Sequence, residues 1–276
     1  MKLTNKLLTS AAVAISLLAP ATLVHASWKN GINEAVKAVH ANRPIDYGRH
    51  KTSAKSTVSE TLAESVLTDN VKRQLGGSLT FSHGSFIVNG NQPTIEYRNV
   101  APYATNQADA MGRPTVANAV LNWTTRQYKN RQSTGNGASE WKPKGFVQRK
   151  FTSGAYRHLY DRGHLLGYAL VGGIKKFNAS ESNTENIVTQ TAWANEAGSS
   201  SNRGQNYYEG LVRKALDKNK KVRYQVKAIY EGNDLVPSGT QIQAVSSDGT
   251  IKFNVFVPNV QNGVKINYQN GLSTTN

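Results

Sequence analysis

Cysteine is absent from all 276 residues, which excludes a disulfide framework and any zinc site built on thiolates. Acidic side chains are scarce: 17 Asp and Glu stand against 33 Lys and Arg, a formal net charge of +16. After the first 26 residues no apolar run approaches the length of a membrane span. A Walker A loop, a Gly-x-Ser-x-Gly elbow and a His-Glu-x-x-His helix are all missing, which argues against P-loop, serine-hydrolase and zinc-peptidase chemistry. No helix-turn-helix, zinc-finger or RNA-recognition signature is present. Internal repeats, low-complexity tracts and the strand–helix alternation of a parallel sheet are absent as well.

What is present begins with an address. Lys2 and Lys6 precede a mostly apolar, uncharged stretch from Leu7 to Val24, and Val24-His25-Ala26 offers small residues at the −3 and −1 positions before Ser27. Two readings stay open for residues 1–26: a cleaved signal peptide, or a retained anchor that would tether the protein to a membrane. The anchor has only 18 residues, the lower limit for a span, and carries Pro20. Either way the remainder is expected to be exported, secreted or held on the outer face of a bacterial membrane or cell surface. Removing the segment leaves 31 basic and 17 acidic residues, a charge of +14. An exported domain so basic favours a polyanionic partner, through counterion release from phosphates.

The chain divides into 1–26, an extension of helices and loop over 27–75, and a main domain over 76–276. Ser27–His40 and Ser59–Leu75 read as short helices around a loop at 42–56. Leu79–Val88 and Thr94–Val100 read as strands joined by a hairpin at Asn89-Gly90-Asn91. A helix is expected from Pro114 to about Arg131, then a Gly/Ser/Asn loop over Ser133–Ser139. A second helix covers Arg203–Asn219, capped by Ser201 or Asn202, with Tyr207, Leu211, Ala215 and Tyr208, Val212, Leu216 as its buried stripe. Strands follow at Val222–Tyr230, Thr240–Ser246, Thr250–Val257 and Val264–Tyr268, with a hairpin at Ser247-Asp248-Gly249. The balance is an antiparallel α+β domain.

Within Ser153–Leu170, on an expected strand and the turn leaving it, stands Tyr160-Asp-Arg-Gly-His-Leu-Leu-Gly167. His164 is a titratable imidazole beside the guanidinium of Arg162, a pair suited to attack on a phosphodiester. The imidazole can take a proton from water and the arginine can hold phosphate charge. Gly163 between them suggests a tight backbone turn. An unperturbed imidazole titrates at about 6.5, so mild alkalinity should favour activity. Asp161 reads as structural, orienting His164 or pairing with Arg162. His40, His50, His83 and His158 have no spaced partner and read as incidental; His158 stands near the signature.

Asp-Arg-Gly-His resembles the signature of the DNA/RNA non-specific endonucleases of the ββα-metal (His-Me finger) superfamily. The resemblance spans roughly 76–276, and includes Gly167–Gly173, Thr191–Ala197 and Asp234–Pro237. It implies a ββα-metal core on a mainly antiparallel sheet with flanking helices. It further implies Mg²⁺, with Mn²⁺ a workable substitute, bound through Asn195, and Asn186 as a polar residue near the metal. Glu209 and Arg213, four apart and so on one helical face, would hold metal waters and meet the phosphate. One spacing departs: many of these nucleases carry the glutamate about eight residues after the asparagine, where this chain has Arg203 and Glu209 comes only after fourteen. The longer spacing and the run Gln205–Glu209 are similar to the branch of bacterial DNA-entry nucleases. The resemblance therefore implies hydrolysis of DNA, and also of RNA, to 5′-phosphate ends.

Between Arg126 and Arg157, Arg126, Lys129, Arg131, Lys142, Lys144, Arg149 and Lys150 are interleaved with Trp123, Tyr128, Trp141 and Phe146. This pattern suits a sequence-independent nucleic-acid track, and no small-molecule cofactor is called for. The rivals are a cationic DNA-binding or adhesion protein that has lost its chemistry, and a metal-independent phosphodiesterase that excludes DNA.

Overall fold

The computed structural model describes residues 57–137 and 140–275. The N-terminal address, the helix expected over 27–40 and the loop at 42–56 lie outside them. In chain order the elements are α1 (Glu60–Glu64), α2 (Asp69–Leu75), β1 (Leu79–Ser82), β2 (Ser85–Val88), β3 (Tyr103–Ala108), β4 (Pro114–Leu121), β5 (Tyr160–His164), α3 (Tyr168–Val171), β6 (Ile187–Thr191) and α4 (Ala192–Glu196). Then come β7 (Gly198–Ser199), β8 (Asn202–Arg203), α5 (Gln205–Asp217), β9 (Val222–Ile229), β10 (Gly239–Ser246), β11 (Lys252–Pro258), β12 (Val264–Ile266) and β13 (Ser273–Thr275). The protein is α+β.

A seven-stranded sheet in the order β1-β2-β11-β10-β9-β4-β3 forms the frame, with every neighbouring pair antiparallel. Its central strands supply Tyr224, Val226, Ile242, Ala244 and Val255, and α5 supplies Tyr208, Val212, Ala215 and Leu216 to the same buried cluster. Ala63, Val66, Val71 and Leu75 around α1 and α2 join it. Fully burying one such aliphatic or aromatic side chain contributes about 1.5–3 kcal/mol.

Four expectations need correction. The helix expected from Pro114 to Arg131 is β4 and a short 3₁₀ turn at Trp123–Thr125. Ala117, Ala119 and Leu121, at period two, are fully buried, and the strand pairs with both β3 and β9. Val116 and Val120, four apart and thus helix-like, lie on its other face; Pro114, without an N–H, sits where a strand tolerates it best, at its first residue. The strand expected over Leu79–Val88 is a hairpin that turns at His83 and Gly84, both with positive φ (55° and 98°). Asn89–Asn91 is a 3₁₀ turn, and no strand follows at 94–100. The segment Ser59–Leu75 splits into two helices because Ser59 and Thr68 each cap a start, accepting from the amides of Leu62 and Val71. Finally, α5 starts at Gln205 on Gly204, with no side-chain cap from Ser201 or Asn202. The hairpin at 247–249 and the C-terminal strands form as expected.

Against this frame β5 and β6 pair antiparallel, from Tyr160 opposite Thr191 to His164 opposite Ile187. The chain then runs directly into α4, whose N-cap Thr191 accepts from the Ala194 amide. Asn259 Oδ1 and Gln261 Oε1 accept from the Thr191 and Trp193 amides (2.7 and 3.2 Å), fixing α4 to the end of the sheet. This strand–strand–helix unit carries His164 and Asn195.

Candidate active site

Strand alternation divides the signature between two faces. Tyr160, Arg162 and His164 point one way, Asp161 and Gly163 the other, beside Gln190 and Val188 of β6. Gly163 serves close approach, and the tight turn expected of it is not found: it lies inside β5 without a positive φ. A Cβ there would stand 2.2 Å from Gln190 Oε1 and 2.6 Å from Gln190 Cβ. Gly167 serves similarly further on, since a Cβ would meet the Glu209 carboxylate at 2.6 Å.

His164 is buried at 8 % exposure. Arg131 Nη1 donates to its Nε2 (2.7 Å), a contact that only the neutral ring can accept. Burial first, and then the Arg131 charge, hold this imidazole well below its usual pKa. Both causes favour the neutral form of the ring in this site. Arg131, expected on the nucleic-acid track, is thus part of the site, and it also stacks on the Tyr168 ring (4.9 Å to the centroid). Arg162, on the same strand face as His164, donates from Nε to the Trp141 carbonyl (2.8 Å) and stands 5.8 Å from the Phe146 ring centroid.

Gln205 was not among the residues picked out for chemistry, yet it joins the parts. This buried side chain donates from Nε2 to the His164 carbonyl and to Glu209 Oε1 (3.2 Å). Its Oε1 accepts from Gln190 Nε2 (3.2 Å) and Thr240 Oγ1 (3.3 Å). The only sequence signal was its place at the head of the run Gln205–Glu209. Glu209 pairs with Arg213 at 3.3 Å, and Arg213 also donates to Asn206 Oδ1 (2.7 Å). Asn186 is fully buried with both ends of its carboxamide on the Leu166 backbone, accepting from N and donating to O at 3.0 Å each. That geometry makes Asn186 a clamp on the chain just past His164.

Asp161 pairs with neither His164 nor Arg162, because alternation turns it to the opposite face. It accepts from Asn195 Nδ2 (2.9 Å) and from His158 Nε2 (2.6 Å). The Asp161 hydrogen bond raises the pKa of His158, so this histidine has a partner inside the signature. Burial, and then the charge of Asp161, push the Glu196 carboxyl up to about 7. Asn195 therefore holds its amide nitrogen on Asp161 while, among the described residues, no donor reaches its Oδ1. An oriented, unused carboxamide oxygen beside two carboxyl groups fits a hard divalent cation such as Mg²⁺.

The sequence profile of the DNA/RNA non-specific endonucleases matches residues 82–275. The chain belongs to this family. NucA from Streptococcus agalactiae, solved with a magnesium ion bound, is 43 % identical and superposes with a TM-score of 0.72 over 75 % of this chain and 96 % of that one. The metal-free NucA structure gives 41 %, 0.70, 75 % and 95 %. The Sda1 nuclease with a bound zinc ion, 18 % identical at a TM-score of 0.50 over 70 % of this chain and 97 % of its own, shares the fold. The unit β5–β6–α4 is the ββα core of the family, and the similarity to NucA supports the DNA-entry nuclease branch.

The fold also explains the long asparagine-to-glutamate spacing. An uninterrupted helix would place residues eight apart about 12 Å apart along one rod. Here the helix stops at Glu196, the small hairpin β7–β8 intervenes, and α5 restarts at Gln205.

The basic run is not one surface. Arg126 is buried, donating to Asp217 Oδ1 (3.1 Å) and the Ala169 carbonyl (2.6 Å) and lying over the Tyr128 ring. Its role is structural, which corrects its assignment to the track. Arg149 is tied to Ser273 through Nε (3.0 Å) and Nη2 (2.5 Å). Lys129, Lys142, Lys144 and Lys150 are exposed.

Proposed function

We propose that this nuclease is an exported, Mg²⁺-dependent, sequence-non-specific endonuclease that cuts DNA, and also RNA, with His164 as general base. The observation that carries the reading is the buried neutral imidazole of His164 on the same strand as Asp161, which orients the unused oxygen of Asn195. His164 takes a proton from water as the water oxygen attacks phosphorus in line. The P–O3′ bond breaks with its electron pair on the 3′ oxygen, leaving a 5′ phosphate. When bound, Mg²⁺ supplies charge compensation for the phosphorane and the leaving oxygen, with Asn195 Oδ1 as its protein ligand and Glu209 holding its waters. Arg131 blocks Nε2 in the resting site, and a phosphodiester is the stronger partner for its guanidinium. Substrate therefore draws Arg131 away and frees the ring nitrogen. Arg162 keeps both Nη groups for the phosphate, and Arg213 stands behind Glu209. Export rests on the address in residues 1–26.

The test is plasmid nicking in Mg²⁺ and in EDTA, with single-stranded RNA alongside. Parental protein should cut both in Mg²⁺ and neither in EDTA. His164→Ala should lose at least about 100-fold in rate while still retaining DNA. Cutting at the parental rate by that variant would refute the assignment, and DNA retention without nicking by the parent would favour the receptor reading.

A further inference from the structure

The imidazole of His158 and the carboxylates of Asp161 and Glu196 point toward one small volume beside the active site. One ligand atom from each lies within 4.8 Å of the others. His158 Nε2 stands 2.6 Å from Asp161 Oδ1 and 3.7 Å from Glu196 Oε1. All three are half-buried and held from outside: the His158 carbonyl accepts from Gln261 Nε2 (3.1 Å), Asp161 Oδ2 is fixed by Asn195, and the Glu196 carbonyl accepts from Asn206 Nδ2. A second feature points to a missing ligand. The Tyr156 hydroxyl is buried, its residue 8 % exposed, and has no well-formed hydrogen bond among the described residues, with only the Asn202 side chain in reach. It lies close to Glu196 and Asp161.

We propose that His158, Asp161 and Glu196 form a second divalent-cation site, separate from that of Asn195 and selective for an ion of the zinc class. Tetrahedral coordination with bonds of about 2.0–2.1 Å separates ligand atoms by about 3.3 Å. The His158–Glu196 distance is close to that already, and Asp161 needs to withdraw from His158 by well under about 1 Å. One nitrogen and two carboxylate oxygens leave a fourth position for water, which would give the Tyr156 hydroxyl its partner. An imidazole ligand favours Zn²⁺ or Co²⁺, while Mg²⁺ prefers an all-oxygen shell and belongs at Asn195. None of this depends on the proposed reaction, so binding can be tested without measuring cleavage.

The experiment is calorimetric titration of Zn²⁺ into the full chain stripped with EDTA, in excess Mg²⁺, with Co²⁺ absorption as a coordination readout. The expected result is one Zn²⁺ per chain at micromolar or tighter affinity, in the range of built imidazole–carboxylate sites. His158→Ala and the near-isosteric Glu196→Gln should each weaken binding at least about tenfold. Glu209→Gln, outside the cluster, should keep it, and circular dichroism should show all three variants folded. Absence of zinc binding, an isotherm unchanged in both His158→Ala and Glu196→Gln, or loss through Glu209→Gln alone would overturn the proposal.

Discussion

Gly163→Ala adds one carbon to the signature and should be among the most damaging single-atom changes available to this fold. The new Cβ would sit 2.2 Å from Gln190 Oε1 and 2.6 Å from Gln190 Cβ. A flexible end could swing aside, but a Cβ anchored in β6 cannot. Gln190 is 1 % exposed, and its one hydrogen bond to Gln205 holds the residue that binds the His164 carbonyl and Glu209. Overpacking a full site costs about 1–3 kcal/mol, and losing a buried hydrogen bond about 1 kcal/mol more. A loss of about 2–4 kcal/mol follows, equivalent to roughly 4–16 °C in Tm at 2–4 °C per kcal/mol. Urea unfolding of Gly163→Ala, Gln190→Ala and the double variant measures it. Because Gln190→Ala removes the obstructing atoms beyond Cβ, the double variant should be more stable than the sum of the singles by about 1 kcal/mol or more. A Gly163→Ala protein within about 0.5 kcal/mol of the parent would show that close packing is not why glycine stands there.

The depressed pKa of His164 sets a pH dependence. A base that titrates below its usual value keeps its activity above that lowered pKa and loses it as pH falls through it. The acid limb of kcat/KM should therefore lie below about pH 6.5, and Arg131→Ala should move it upward; a parental limb above 6.5 contradicts the buried neutral ring. The same shift makes His164 a stabilising group above the unfolded value, with that contribution lost as pH falls from about 6.5 toward the folded pKa, which acid titration of His164→Gln against the parent would show. Arg126→Ala should cost about 2 kcal/mol through its charged hydrogen bonds and leave the salt dependence of DNA binding unchanged, the reverse of a track residue. Alanine at Lys129, Lys142, Lys144 and Lys150 should leave stability alone and reduce the slope of log K against log salt by about 0.9 for each phosphate no longer neutralised. An unchanged slope would remove those lysines from the interface.

Much of this was legible where one pattern had one meaning. The stripe Tyr208, Val212, Leu216 repeats at helical spacing and could only be a helix, and Ser247-Asp248-Gly249 between β-branched runs could only be a hairpin. Val116, Val120 and Leu121 fit either period, and the two neighbouring strands that make β4 a strand are distant in sequence. At the site, the types and order of Arg162 and His164 pointed to phosphodiester chemistry before any contact was known. The pairing of Asp161 with Asn195 did not show, because it joins residues 34 apart through a strand's alternation. Gln205 was hidden for the same reason: its partners lie on β5, β6 and β10. Arg126 and Lys129 look alike in a charge run, and only the position of Asp217 separates a buried brace from an exposed side chain free to meet phosphate.

The hairpin β7–β8 leaves Asn195 and Glu209 on separate mounts. Asn195 takes its position from α4, seated on Asn259 and Gln261, while Glu209 takes its position from α5, seated on the central sheet. Their separation is thus governed by two seats, joined where Asn206 Nδ2 donates to the Glu196 carbonyl, and not by the pitch of a shared rod. Because the Gly204 amide returns to the Ala197 carbonyl, the stretch between them closes on itself, and its length can change without moving the ends of the two helices.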